Sequence, residues 1–337
     1  MTTAPRRVAV LGLGLIGGSL ARRLLETGTA VVGWDPDPST REAARALGVD
    51  VLAAPADLAG ADADLVVVAV PLRAVDQTAQ LLASVLGPDT VVTDVGSVKT
   101  PVRAAMDRAG LSDRYVGAHP MAGTEHSGFG ASHADLLVGA RWALTLDRTT
   151  SERAFLMVAA MITATFDGVL YPLTDDVHDE AAALISHLPH VMATELLNLV
   201  AHAAIRPVAV GLSAGSFRDG TRVARTTPRR TQAMVTDNAA WVAPVLRRAI
   251  AELEQLAGAL ESNGPTEEFF DRADVLRDAG DGTVDDAAGT PEAEDVQSLV
   301  LADLPGWQEH LSELGASGGQ VLAADPAHGS VVVVAPR

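Results

Sequence analysis

The chain is predicted to be an α/β protein: a mostly parallel sheet covered by helices, then an all-helical domain, then a small α+β unit. Three observations predict this. Short apolar runs alternate with helical periodicities over the first 150 residues, as in a sheet covered on both faces. From about Ser151 the pattern turns mostly helical. Beyond an acidic stretch, four short segments read as strand, helix, strand, strand.

Strands are expected at Val8–Leu11, Ala30–Trp34, Leu65–Val70, Val91–Asp94, Tyr115–Ala118 and Ala143–Leu146. Helices are expected between them, at Leu15–Leu25, Thr40–Leu47, Val75–Leu86 and Pro101–Ala109. Thr100-Pro101 suits a helix start, and Gly28, Gly48 and Gly110 stand where helix C-terminal caps need them. A long helical segment spans Asp179–Ala203, interrupted by Pro189, and another spans Thr231–Ser262. Residues 265–295 read as an acidic linker: Thr266 to Val296 holds eleven acidic and two basic residues, a net of −9 and half of the total −18. Gln297–Leu301, Gly306–Leu314, Gln320–Ala323 and Ser330–Val334 form the last unit. The expected domains are therefore 1–150, 151–264, the linker, and 296–337.

Composition narrows the function. A hydrophobic content of 48% supports a large core, and with 4% aromatics Leu, Val and Ala must fill it. The absence of cysteine excludes disulfides and thiolate metal sites. The charge of −18 argues against a nucleic-acid partner. No signal peptide and no membrane-spanning run is read, so a cytoplasmic protein is expected. Long apolar helices in the second domain suggest a homodimer.

Gly12-Leu13-Gly14-Leu15-Ile16-Gly17 follows the first strand and opens the first helix. Such glycines permit a tight turn and bring backbone N–H groups close to a pyrophosphate at the helix N-terminus. The second strand ends at Asp35, where a carboxylate accepts hydrogen bonds from an adenosine ribose. A Rossmann-type dinucleotide site is expected, with Val70 beside it. Asp35 repels a 2′-phosphate and Pro36-Asp37 supply no basic replacement, which favours NAD over NADP.

Residues Val116 to Gly128, VGAHPMAGTEHSG, carry the chemistry. Pro120 holds His119 extended at a strand end, and a histidine so placed suits proton transfer near neutral pH. Arg218, Arg222 and Arg225 recur at helical spacing, with Arg229 and Arg230 beyond Pro228, and concentrate positive charge in an acidic chain. His187 and His190 could share a helical face, but no surrounding pattern suits zinc and no metal is expected.

The glycine loop, Val95-Gly96-Ser97-Val98-Lys99, HPMAGTE, His178-Asp179, Ser186-His187-Leu188-Pro189-His190 and Phe217-Arg218-Asp219-Gly220-Thr221-Arg222 occur in one order. Over roughly residues 6–262 the chain resembles the prephenate dehydrogenase family, which includes arogenate dehydrogenases. The resemblance implies NAD-dependent oxidative decarboxylation of prephenate in tyrosine biosynthesis, with arogenate as the near alternative. It implies that His119 polarises the C4 hydroxyl and that Ser97 hydrogen-bonds to His119 near the nicotinamide. It further implies that Arg222 binds a substrate carboxylate, that His190 lies near the substrate side chain, and that Asp219, Thr124 and Glu125 shape the pocket. Glu125 is expected to link the two subunits' sites or gate access; the plain alternative is a solvated loop carboxylate. His178 and His187 are read either as site residues or as buried histidines satisfying hydrogen bonds.

The family often has tryptophan where this chain has Thr231, whereas Asn238 matches. The C-terminal unit slightly resembles a truncated amino-acid-binding ACT domain. Two other classes compete. A β-hydroxyacid dehydrogenase uses a lysine on the first long helix of the helical domain, but Lys99 is the sole lysine of the chain. A non-catalytic NAD-sensing dimer would bind cofactor without turnover.

Overall fold

The computed structural model describes residues 5–124, 126–225, 227–278 and 296–336. Its eleven strands are β1 (Arg7–Leu11), β2 (Ala30–Trp34), β3 (Asp50–Val51), β4 (Leu65–Val68), β5 (Val91–Asp94), β6 (Tyr115–Pro120), β7 (Arg141–Thr145), β8 (Val169–Leu173), β9 (Val296–Val300), β10 (Gln320–Asp325) and β11 (Ser330–Val334). They form one sheet in the order β3-β2-β1-β4-β5-β6-β7-β8-β10-β11-β9. From β3 to β6 all pairings are parallel, and the order reverses between β1 and β4. That reversal opens a crevice at the carboxyl ends of the strands, where α/β folds bind ligands.

The central strands are buried on both faces, as their unbroken Val and Leu runs require. Side chains alternate between two cores. Val8, Val10, Leu65, Val67, Val91 and Val116 point into one, and Ala9, Leu11, Val66, Val68, Val92 and Tyr115 into the other. Helices α1 (Leu15–Glu26) and α5 (Glu152–Phe166) cover the first. Helices α3 (Val75–Val85) and α4 (Thr100–Arg108) cover the second, while α2 (Pro38–Ala46) lies beside β2 and β3. Each fully buried Val or Leu contributes about 1.5–3 kcal/mol, so sheet and helices form a rigid frame for the loops at its carboxyl edge.

The boundary expected at residue 150 moves. Chain 152–173 belongs to the sheet layer, with α5 on its face and β8 paired in parallel to β7. The all-helical part starts at α6 (Asp175–Ala182) and continues through α7 (Leu188–His202), α8 (Arg206–Gly211), α9 (Gly215–Thr221), α10 (Pro228–Asp237) and α11 (Ala239–Glu261). Between α6 and α7 the backbone makes a π-helical turn over Ala183–His187, in which the Leu188 N–H reaches the Ala183 carbonyl. Pro189 sits in the first turn of α7, so the wider turn carries the helix past it where a break was expected.

Part of the expected linker is helical, as α12 (Glu267–Asp271) and α13 (Asp274–Asp278); residues 279–295 lie outside those described. The C-terminal segments form as expected, with α14 (Trp307–Ala316), but not as a separate unit. Val321 of β10 pairs with Leu170 of β8, and Trp307 packs on Phe155 with ring centroids 5.2 Å apart. Gly315 lies so close to β8 that a Cβ there would stand 1.8 Å from the Pro172 carbonyl oxygen. This fusion into one core differs from the separate C-terminal unit expected at 296–337. Among the described residues, no helix is long and apolar enough to cross a membrane.

Candidate active site

At the end of β1 the chain turns through Gly12, whose φ of +93° favours glycine. A Cβ on Gly12 would also stand 2.5 Å from the Ala69 carbonyl, beside the Val70 amide. Gly17 brings α1 against this turn: a Cβ there would lie 2.0 Å from the Gly12 carbonyl oxygen. Gly14 is the N-cap of α1 and faces open space, so the N–H groups of the first turn, at Leu15 and Ile16, are open to an anion. Asp35 braces the loop from β2, accepting from Leu13 N–H at 2.8 Å and from Asp37 N–H at 2.9 Å. These features fit a bound dinucleotide. A basic group does stand nearby, which the sequence reading missed: Arg41 folds back from α2 to donate to the carbonyls of Asp35 (2.6 Å) and Pro36 (3.1 Å).

Farther along the same carboxyl edge, β6 carries His119 in register with Ala143 of β7. Its Nδ1 lies 2.9 Å from Nε2 of His178 on α6. The Nδ1 of His178 lies 2.8 Å from Oδ1 of Asp179, and that carboxylate also accepts from the backbone N–H groups of Lys99 (2.7 Å) and Thr100 (2.9 Å). Asn238 closes the cluster: its amide nitrogen donates to the Asp179 carbonyl (2.8 Å) and to Nδ1 of His187 (2.9 Å). Beneath it, the fully buried Lys99 pairs with Asp94, which also accepts from the Tyr115 hydroxyl at 2.8 Å.

The electrostatics keep His119 and His187 neutral. Burial, with repulsion of a second positive charge by His178, Lys99 and His187 adding to it, holds His119 well below the usual imidazole range. Burial lowers His187 to about 4. Burial raises Asp179, but hydrogen bonds from His178, Thr100 and Lys99 outweigh it and leave the pKa below the ordinary carboxylate value. The site therefore offers a neutral imidazole backed by an anchored carboxylate, at the same sheet edge as the glycine turn.

Residues 20–183 match the nucleotide-binding domain of prephenate dehydrogenase, and residues 174–273 match its dimerization domain. The chain is also 36% identical to cyclohexadienyl dehydrogenase of Zymomonas mobilis over 265 residues, covering 77% of this chain and 90% of that one. The chain belongs to the prephenate dehydrogenase family. A prephenate dehydrogenase from Aquifex aeolicus, in complex with hydroxyphenyl propionate and NAD+, superposes with a TM-score of 0.75 at 27% identity, covering 82% of this chain and 99% of that one. A Corynebacterium glutamicum structure, provisionally named a prephenate dehydrogenase, gives 0.77 at 33% identity and covers 92% of this chain and 97% of that one.

Within this prephenate dehydrogenase family fold, the predicted residues divide. Gly12, Gly14, Leu15, Ile16, Gly17, Asp35 and Val70 gather at one crevice. Ser97, in the loop after β5, is partly exposed and makes no hydrogen bond to His119 among the described residues; His178 holds Nδ1 of that ring instead. That corrects the expected Ser97–His119 bond. The π turn and α7 bring His190 to the start of α7, where its Nδ1 donates to the Ser186 carbonyl at 2.8 Å. Arg222 is exposed in a short turn over Arg222–Arg225 that packs against α7, and Asp219 is exposed on α9. Thr124 is partly buried in the loop after β6, and Glu125 lies outside the described residues.

His178, Asp179 and Asn238 form the centre of the polar cluster; the sequence leaves His178 open between a site residue and a buried hydrogen-bonding histidine, and points to no partner for Asp179 or Asn238. All three are at most 2% exposed. The available signal is that His178-Asp179 stands among the motifs of the resemblance and that Asn238 matches the family. Their meeting depends on contacts 59 residues apart along the chain.

Proposed function

We propose that the chain catalyses NAD-dependent oxidative decarboxylation of prephenate to 4-hydroxyphenylpyruvate, as a cytoplasmic homodimer. The observation that carries this reading is His119. A histidine held neutral at the carboxyl edge of a dinucleotide-binding sheet suits acceptance of the C4 hydroxyl proton.

Gly12, Gly14, Leu15, Ile16 and Gly17 would hold the pyrophosphate of NAD, Asp35 its adenosine ribose, and Val70 would line the cleft. Bound there, the nicotinamide supplies a hydride acceptor. His119 holds the C4 hydroxyl as its carbonyl develops, and loss of the ring carboxylate as carbon dioxide makes the ring aromatic. Arg222 takes a substrate carboxylate, which its planar fork of donors fits better than a lysine would. Asp219, Thr124 and Ser97 line the pocket around the ring. The apolar side chains that the helical part leaves exposed, among them Ile185, Leu199, Ile205, Val208 and Leu212, support burial against a second copy.

One observation favours arogenate as a second substrate. With Nδ1 of His190 committed to the Ser186 carbonyl, Nε2 is the ring nitrogen left to meet the side-chain nitrogen of arogenate. Steady-state turnover of both compounds decides between them. For the main reading, His119→Asn is expected to lower kcat by roughly 10²–10⁴ with substrate KM nearly kept. Near-normal turnover by that variant would end the assignment.

A further inference from the structure

The carboxylate of Asp179 meets the backbone N–H groups of Lys99 and Thr100, at the start of α4. Unpaired N–H groups and the helix dipole keep such a group ionised. An ionised carboxylate only accepts hydrogen bonds, so the 2.8 Å contact to Nδ1 of His178 makes that nitrogen the donor. With one ring proton, on Nδ1, His178 has a bare lone pair at Nε2. The 2.9 Å contact to Nδ1 of His119 therefore requires His119 to donate. What is left on His119 is Nε2, without a proton.

Other charged and titratable groups face the cluster. Lys99 and Asp94 face the site as an ion pair, and Lys99 also donates to the Ala118 carbonyl. His187 accepts at Nδ1 from Asn238, the same side chain that pins the Asp179 peptide.

We propose that Asp179 and His178 act as positioning residues that set His119 as its Nδ1–H tautomer, leave Nε2 as the proton acceptor of the site, and receive the surplus proton during turnover. The inference rests on the role of His119 proposed above. In the step, the C4 O–H bond breaks and an Nε2–H bond forms on His119. The Nδ1–H bond of His119 breaks as an Nε2–H bond forms on His178. The electron pair of the O–H bond makes the new carbonyl, while C4 gives up its hydride to the oxidised nicotinamide. His119 ends neutral with its proton on Nε2, and His178 ends as an imidazolium paired with Asp179. Loss of carbon dioxide then sends the electron pair of its C–C bond through the ring to the C4 oxygen, which takes back the proton from Nε2 of His119 as the proton on Nε2 of His178, a ring only 1% exposed, returns to Nδ1 of His119.

Nitrogen NMR of the full chain with labelled histidine reads the tautomer directly, without substrate. The expected result is His119 protonated at Nδ1 and bare at Nε2; the opposite tautomer would overturn the proposal. His178→Leu is expected to lower kcat by roughly 10²–10³ with KM for NAD unchanged. His178→Gln, whose side-chain oxygen can accept from Nδ1–H, is expected to recover about tenfold or more of that loss. A Leu variant with wild-type kcat would refute the relay, as would a Gln variant no better than a folded Leu variant. Should the Leu variant fail to fold, the tautomer and the Gln variant still decide. Wild-type protein that turned over neither compound would remove the proposed activity, and the tautomer would still test the arrangement.

Discussion

The histidine cluster makes stability fall with pH in a way that can be assigned to one side chain. His187 is fully buried, and burial takes its pKa from 6.5 to about 4. Between those values the unfolded chain binds a proton that the native chain refuses, so stability is lost as pH falls from 6.5 toward 4. The whole gap amounts to about 3 kcal/mol, of which about 2 kcal/mol is lost between roughly pH 7 and pH 5. His187→Asn removes the titrating group, and its side-chain oxygen can stand where Nδ1 accepts from Asn238. That variant should begin from a lower plateau because the ring leaves a cavity. Its midpoint should nevertheless fall less on acidification, by about 3 °C for a chain this long. Thermal melts of both proteins at one concentration, from neutral pH down to about pH 5, provide the measurement. His119 also resists protonation, chiefly through its own burial, which both proteins share, so only the smaller part due to His187 enters the difference. Parallel pH curves for the two proteins would refute the reasoning, because they would mean that His187 takes up its proton as readily folded as unfolded.

Other outcomes follow from the same geometry. Arg222→Ala is expected chiefly to raise the KM for prephenate, by roughly 10–100-fold, and an unchanged KM in steady-state assays would remove Arg222 from the site. Gly17→Ala forces a Cβ to 2.0 Å from the Gly12 carbonyl, so α1 must retreat; NAD binding followed by fluorescence titration should weaken about tenfold or more. Asn238→Ala leaves the Asp179 carbonyl and His187 Nδ1 buried without their donor, at about 1–3 kcal/mol each, and denaturant melts should show a loss of at least that size.

Much of the fold was legible because its signals are local. The glycine loop, the Val-rich strands and the alternation of strand and helix can be read within windows of a dozen residues, and all six strands expected in the first half are present. The place of His119 at a strand end was legible for the same reason, since the strand and the following proline are adjacent to it. What was missed was nonlocal. β8 was absorbed into a run of helix because five residues beside a long apolar helix carry no period of their own. The Ser97 partner was misassigned because the competing ring, His178, lies on a helix whose docking against β6 no local pattern announces.

The sequence by itself determined that a parallel sheet would present a dinucleotide loop, a strand-end histidine and an arginine-bearing helical part. These follow from backbone conformation and side-chain period, which each short segment carries. Only the tertiary structure decided which atoms meet. Asp179 reached the N-terminus of α4, His178 bridged it to His119, and the C-terminal strands extended the main sheet through β8. Those choices depend on packing between elements far apart in the chain, where burial selects one pairing among several that satisfy the same local pattern.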